Sequence, residues 1–367
     1  MNVAILGAGA IACGTAAFLL DAGHAVTMWT RAGERRDALR AGLRADGRIT
    51  GRFAPAIADT VDAALDAAET IVIALPSNGH RGVIDAIAPR LRAEQSVVIS
   101  SHASLGGLVL AQRLAARGVT VPIIAWGTTL VTARQPSPDA VAVSNIRTRI
   151  DLAALPEAGN ESGKSLCETL FGDRFVPRAD LLAIALSNLN PQNHLAIALC
   201  NFSRIEREEK WVNWSCVTPA MGRLMEALDA ERLAIAACFG VEVRTVREHL
   251  RFSYGVEGAD VGAMAAAIAA RETTLGPTGI ATRYVTEDVP FGLVATVRLA
   301  ALAGVAVPLH EAGIRLFSAL YGRDFTAEND LLPELPLATL DAASLRRLAR
   351  EGFSRSRSAG TTGRRDG

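Results

Sequence analysis

Lysine is almost missing from this chain: Lys164 and Lys210 stand alone among 38 basic residues. Base composition accounts for such a bias, so a cluster of arginines carries little meaning by itself. Basic and acidic residues balance at 38 each, and a formal net charge of zero argues against a nucleic-acid binder working by counterion release. No apolar run approaches membrane-spanning length without a charge or a Gly-Pro break, so no membrane partner is expected. Met1 leads straight into an apolar stretch with no basic flank, and no secretory leader is expected. The five cysteines (Cys13, Cys167, Cys200, Cys216 and Cys238) are odd in number and lack C-x-x-C spacing. They read as reduced thiols of a cytoplasmic protein. His102, His249 and His310 form no metal-ligand spacing with cysteine or carboxylates, so no metal site is expected. Ser100-Ser101 has no acid–base partner at nucleophile-elbow spacing, which excludes hydrolase chemistry of that kind.

What the chain does have is 367 residues, 50% of them hydrophobic and 21% charged, enough for two globular domains. Its first dozen residues organise the rest. The apolar run Val3 to Leu6 feeds into Gly7-x-Gly9-x-x-Ala12, and a helical pattern follows up to Asp21-Ala22-Gly23. Strand, glycine-rich turn and helix in that order are the context of a dinucleotide fingerprint. Gly7 permits the tight turn, Gly9 lets the backbone approach a pyrophosphate, and Ala12 lets helix and strand pack closely. The pyrophosphate then sits over the free N–H groups of Ala10, Ile11 and Ala12 at the positive end of the helix.

Further apolar runs alternate with helical segments. Strands are expected at 24–30, 70–75, 96–100, 121–126 and 140–143, with a short one within 44–60. Helices are expected at about 33–43, 64–68, 83–91, 105–116 and 165–171. The fold class is α/β: an N-terminal Rossmann domain with a doubly wound parallel sheet, and an all-helical C-terminal domain. From Asp180 the strand-like runs stop and amphipathic helices dominate, one carrying Leu224, Leu228, Ile235 and Phe239 on a single face up to Gly240. Residues 1–178 are assigned to the dinucleotide-binding domain, 179–352 to the helical domain and 353–367 to a disordered tail. The helical half offers a homodimer surface but no stripe long enough to require one.

An acidic residue at the end of the second strand would bind ribose hydroxyls and favour NAD. The chain places Thr30-Arg31 there, with Arg35 and Arg36 one helical turn on. Guanidinium groups pair with a 2′-phosphate that a carboxylate would repel, so NADP(H) is expected over NAD(H). The competing reading is a solvated arginine face in an arginine-rich protein. Leu75 and Pro76, ending the third long apolar run, are expected to touch the cofactor too. Ser77-Asn78-Gly79-His80 either contacts cofactor or substrate or is a capped helix start. Trp211 and Trp214, beside a charged stretch, are either a substrate wall or buried aromatics.

Two segments of the helical half carry unusual polar density: Ser187-Asn188-Leu189-Asn190-Pro191-Gln192-Asn193-His194, and Arg283-Tyr284-Val285-Thr286-Glu287-Asp288-Val289-Pro290-Phe291-Gly292-Leu293. Hydride transfer needs a group that handles the substrate's proton, and histidine titrates near neutral pH. A substrate carboxylate needs a fork of N–H donors, which arginine supplies. The second segment closely matches the R-Y-x-x-E-D-V-P-x-G-L stretch of the opine (octopine/nopaline) dehydrogenase family, which the chain resembles over about residues 1–350. The interval from His194 to Asp288, Thr218-Pro219, and Leu228-Asp229-Ala230-Glu231-Arg232-Leu233 are similar to the family as well. Trp126-Gly127-Thr128-Thr129-Leu130 to Arg134 echoes its T-L-P-Y-x-x-R stretch. Leu195 departs from it, since many relatives carry proline directly after the histidine.

The resemblance implies that His194 is the acid/base residue, Asp288 its orienting partner and Arg283 a receptor for a substrate carboxylate. Asn190 either holds the His194 loop or the nicotinamide carboxamide, or caps a helix. The implied reaction is reductive condensation of an amino acid with an α-keto acid at the expense of NAD(P)H. An α-keto acid reductase of the ketopantoate reductase kind shares the architecture but commonly uses a lysine, and Lys164 and Lys210 stand in poor contexts. A non-catalytic NADP(H) sensor has no need of His194, Arg283 and Asp288 together.

Overall fold

The computed structural model describes residues 1–31 and 33–353; the expected tail lies, from residue 354 on, outside the described residues. Twelve strands fill the first half: β1 (Asn2–Leu6), β2 (Ala25–Trp29), β3 (Leu43–Gly47), β4 (Gly51–Phe53), β5 (Ala56–Ile57) and β6 (Thr70–Ile73), followed by β7 (Ser96–Ile99), β8 (Ile123–Trp126), β9 (Val131–Ser137), β10 (Ala140–Ile146), β11 (Ile150–Leu155) and β12 (Phe175–Pro177). Its helices are α1 (Ala10–Asp21), α2 (Glu34–Leu39), α3 (Val61–Leu65), α4 (His80–Ile87), α5 (Gly106–Ala116) and α6 (Asn160–Phe171).

The main sheet runs β12-β11-β8-β7-β6-β1-β2-β5. Every neighbouring pair from β5 to β8 is parallel. Its central strands are apolar throughout because both faces are covered. Along β1, Ala4 and Leu6 enter one core with α4 and α5, while Val3 and Ile5 enter the other with α1 and α6. That is the double winding expected from the period-2 alternation of side chains. Strand order reverses between β1 and β6, so a crevice opens at their carboxyl ends, where ligands of such sheets bind.

The sheet also contains what the apolar runs do not reveal. β11 returns antiparallel to β8, and β12 joins it on the outer edge. A second sheet, β4-β3-β10-β9, lies against α1. The expected helix at 33–43 is therefore shorter, because Leu43 already begins β3, and 140–143 belongs to this second sheet. β9 carries Pro136 among polar residues and alternates weakly; it is tolerated as a strand because it occupies an edge. Its Gln135 amide donates to the Ala8 carbonyl at 3.1 Å, buttressing the glycine-rich turn from outside.

The second half is helical: α7 (Leu181–Ser187), α8 (Asn190–Cys200), α9 (Phe202–Glu206), α10 (Pro219–Cys238), α11 (Val246–Tyr254) and α12 (Val261–Ala269), then α13 (Arg283–Thr286), α14 (Val294–Ala303), α15 (Pro308–Tyr321) and α16 (Ala342–Glu351). Its core is continuous with the α4/α5 face of the sheet. Leu228, Ile235 and Phe239 are buried as the helical spacing predicts, whereas Leu224 is only partly covered. Side chains of α16 also reach back to the first half, where Arg350 pairs with Glu157 in bidentate fashion. No helix among the described residues is long and apolar enough to cross a membrane.

Candidate active site

Gly7 turns out of β1 with φ at +136°, a left-handed conformation that glycine adopts without strain. A Cβ there would stand 2.5 Å from the Ala74 carbonyl oxygen, so the residue must be glycine on two counts. Above Gly9, by contrast, the space within 4 Å of a would-be Cβ is empty. α1 starts there with no side-chain cap and no acid in its first turn, leaving the N–H groups of Ala10, Ile11 and Ala12 unscreened. That is room, charge and donors for a pyrophosphate. Cys13 lies one turn in, and burial pushes its thiol up to about 12, so it stays a neutral packing group.

At the end of β2, Thr30 is half-buried and Arg31 and Arg35 are exposed. Arg31 lies over Gly82 of α4, close enough that any side chain at Gly82 would meet its guanidinium. Arg36 is drawn toward acids, 3.6 Å from Asp37 and 3.7 Å from Asp59. Across the crevice, Leu75 and Pro76 leave β6 toward a short turn. His80 is buried, and its Nε2 donates to the Leu75 carbonyl at 3.0 Å. Ser77 points elsewhere: its N–H and hydroxyl donate to Glu287 Oε1 at 2.9 and 3.1 Å. The Ser77–His80 segment is thus a loop anchor spent on protein partners.

The segment after α13 is tied to the loops following β6 and β7 by Ser77–Glu287 and Ser104–Phe291, and α8 packs against it. His194 sits on α8, and its Nδ1 is 2.7 Å from Asp288 Oδ2. A carboxylate only accepts, so Nδ1 carries a hydrogen, and in the neutral ring the lone pair is on Nε2. Tyr284 stacks on the imidazole, ring centroids 3.5 Å apart and planes 8° from parallel. Burial, then the charge of Asp288, pushes the Tyr284 phenol up to about 12, so it is a neutral platform. Arg283, capped into α13 by Thr282, is largely exposed with its guanidinium bonded to Glu287. Burial works against ionisation of Glu287, but Arg283 and Ser77 outweigh it and hold the carboxyl below its ordinary range. One carboxylate therefore joins the loop after β6 to the exposed arginine. Asn190 is exposed one turn before His194; its backbone N–H donates to Asn188 Oδ1 at 3.1 Å, and α8 starts without a side-chain cap.

Asp288 opens a π-helical turn, Val289–Leu293, of a kind found mostly at functional sites. The carbonyls this turn sets free find side-chain donors. Ser104 Oγ donates to the Phe291 carbonyl at 2.6 Å, and Asn329 Nδ2 to the Pro290 carbonyl at 2.8 Å. Ser104 and Leu105 take positive φ values of 48° and 56°, a backbone cost of the sort that collects at functional loops. Ser77 falls in the segment that the sequence left open between a cofactor or substrate contact and a capped helix start, Tyr284 and Glu287 fall inside a motif, and nothing in the sequence marks Ser104. Trp211 and Trp214 prove buried, Trp214 edge-on to Tyr254 at 5.3 Å. His102 is buried too, held neutral by burial that lowers it to about 3.

Two glycines seat α8. A Cβ on Gly292 would overlap the ring of Pro191, three positions before His194 on its helix, and one on Gly313 would overlap Leu195, directly after it. Gly292→Ala is accordingly expected to push α8 outward and lower kcat by about tenfold to a hundredfold. Steady-state kinetics beside a thermal melt would separate misplacement of His194 from simple unfolding.

The chain matches two family models, "Ketopantoate reductase PanE/ApbA" over residues 3–157 and "NAD/NADP octopine/nopaline dehydrogenase, alpha-helical domain" over residues 177–321. It is 31% identical to the opine dehydrogenase of Arthrobacter sp. (strain 1C) over 293 residues, 78% of this chain and 80% of that protein. Octopine dehydrogenase solved with NADH and L-arginine superposes with a TM-score of 0.74 at 17% identity, covering 88% of this chain and 90% of that one. Yersinopine dehydrogenase with NADP+ bound gives 0.69 at 16% identity, covering 95% and 98%. The helical-domain match takes in His194, Arg283 and Asp288 together, and with the relative at 31% identity it makes this chain a member of the opine dehydrogenase family, NAD(P)-dependent oxidoreductases acting on CH–NH bonds.

Proposed function

We propose that this enzyme condenses the amine of an amino acid with an α-keto acid and reduces the resulting imine, with His194 as proton carrier and Arg283 holding the keto-acid carboxylate. The observation that carries this assignment is the 2.7 Å His194–Asp288 bond, which occupies Nδ1 and leaves Nε2 for the substrate. Amine and ketone lose water to form the C=N bond, hydride adds to its carbon, and a proton completes the secondary amine. The reduced nicotinamide supplies the hydride. His194 Nε2 takes the proton shed as the amine attacks and returns one to the departing hydroxyl, while Asp288 steadies the transient imidazolium. Arg283 presents a guanidinium to the carboxylate and thereby sets which face of the carbon is open. Asn190, exposed one turn before His194 on α8, would meet the nicotinamide amide.

We assign NADP(H) as the preferred cofactor, since Thr30 and Arg31 end β2 without a carboxylate. Arg31 and Arg35 are the exposed candidates for the 2′-phosphate, with Arg36 shared with Asp59. Gly7, Gly9, Ala10, Ile11 and Ala12 would hold the pyrophosphate, and Leu75 and Pro76 would line the crevice. Five unpaired cysteines fit a cytoplasmic enzyme. The test is oxidation of NADPH, and of NADH in parallel, with a panel of α-keto acids with and without pooled amino acids. Strict dependence on the amine and faster turnover with NADPH are expected. Oxidation by a keto acid alone would make the enzyme a simple reductase, the activity named by the family model that covers its first half.

A further inference from the structure

Both organic substrates of the proposed reaction carry a carboxylate, and Arg283 answers only one. We infer that Arg147 receives the carboxylate of the amino acid, in a subsite between the loop joining β10 to β11 and helix α11; the inference rests on the reaction proposed above. Arg147 lies in that loop with its N–H bonded to the Leu130 carbonyl at 2.9 Å, and its own carbonyl accepts from Arg174 Nη1 at 2.8 Å. Leu130 belongs to the segment leaving β8, so Arg147 is pinned at the same edge of the sheet as Gly7, Leu75 and Ser104.

What sets this arginine apart is that its charge is unanswered. Its Nε is shut from solvent with no acceptor, and no hydrogen bond or ion pair among the described residues involves its guanidinium. The arginines around it are satisfied. Arg244 pairs with Asp151 at 2.6 and 3.3 Å, Arg232 with Asp229 at 2.6 Å, and Arg174 donates to the Phe171 carbonyl at 2.5 Å. Arg232 and Arg244 thus each have a carboxylate partner and Arg174 two carbonyls, whereas the Arg147 guanidinium has neither among the described residues. Burial works against that charge, and no carboxylate near it restores the balance; only the Tyr254 phenol favours it. His249, on the same helix, adds no anion: burial, then the neighbouring arginines, lowers it to about 4, so it is neutral at working pH. A half-buried cation without a partner is costly, and a bound carboxylate relieves the cost.

The surroundings connect this cation to the hydride centre. Tyr254, which favours the Arg147 cation, stands edge-on to Trp214, and its phenol opposes ionisation of Tyr284. Tyr284 is the platform under His194. An amino acid with its carboxylate on Arg147 would lay its side chain along these aromatic faces and present its amine toward the His194 side. Arg283, on α13, is left for the keto acid.

The test compares each amino acid that supports turnover with pyruvate against its decarboxylated amine, in the wild type, Arg147→Met and Arg147→Lys. Methionine fills a similar length without charge, so folding is expected to persist, and a thermal melt would check it. In Arg147→Met the KM for the amino acid should rise by about ten- to a hundredfold, the range of a lost charge-assisted bond. The KM for pyruvate and that for the decarboxylated amine should stay within about twofold, and Arg147→Lys should recover part of the loss. An unchanged amino-acid KM, or a rise in the pyruvate KM instead, would overturn the assignment. Wild-type oxidation of NADPH by pyruvate without any amine would instead bring down the proposed reaction, and this subsite with it.

Discussion

Replacing His194 by alanine should lower kcat for amine-dependent NADPH oxidation by about a thousandfold while leaving dinucleotide affinity unchanged. The expectation follows from the single free nitrogen in the pair. Asp288 occupies Nδ1 at 2.7 Å, so all proton traffic to a substrate in the crevice runs through Nε2. General acid–base catalysis by one positioned side chain is worth about 10²–10⁴-fold. The contacts proposed for the pyrophosphate and the 2′-phosphate lie instead on the turn after β1 and past the end of β2, and none of them involves His194. Asp288→Asn preserves the shape of the bond but not its charge, so the imidazolium loses its counter-ion; a smaller fall, about tenfold to a hundredfold, is expected. Stopped-flow and steady-state rates with fluorescence titration of NADPH would check both. A His194→Ala enzyme that keeps a tenth or more of its kcat would remove histidine from the chemistry, and an Asp288 variant worse than the His194 variant would reverse their roles.

Asp229→Ala should cost about 3–5 kcal/mol of stability, the price of leaving one partner of a buried ion pair alone. Asp229 and Arg232 are almost wholly buried on α10. The carboxylate accepts from Arg232 Nε at 2.9 Å, from its Nη2 at 2.6 Å and from the Val246 N–H at 2.7 Å. The guanidinium in turn donates to the carbonyls of Leu186 and Arg244, so the pair ties the end of α7 and the start of α11 to one helix. Without Asp229 the cation remains, unpaid for, among apolar neighbours. The melting temperature is expected to fall by roughly 5–10 °C. The double variant Asp229→Leu/Arg232→Met should recover much of that fall, because two apolar side chains pack where two charges cancelled. Differential scanning fluorimetry of the three proteins decides it; a double variant less stable than Asp229→Ala would show that the backbone bonds, not the charges, carry the energy. Because α11 bears Tyr254 and His249, amino-acid KM should rise in the single variant before the fold is lost.

The sequence determined the dinucleotide turn, the parallel strands β1, β6, β7 and β8 and the helical second half, while its resemblance to a family singled out His194, Arg283 and Asp288. The turn, the strands and the helices are written in local patterns: a run of apolar residues, small residues at fixed intervals, or a helical period. The second sheet escaped because β9 is a polar edge strand containing Pro136, which no alternation announces. The antiparallel return of β11 escaped because pairing direction is set by a partner, β8, and not by the strand itself. Tertiary structure alone decided which polar groups are already spent. Ser77 is bound to Glu287 across 210 positions, Ser104 to the Phe291 carbonyl across 187, and Arg36 leans toward Asp59, while the Arg147 guanidinium has no partner among the described residues. A side chain's availability is a difference between the acceptors around it and those it needs, and that balance exists only once distant segments have packed together.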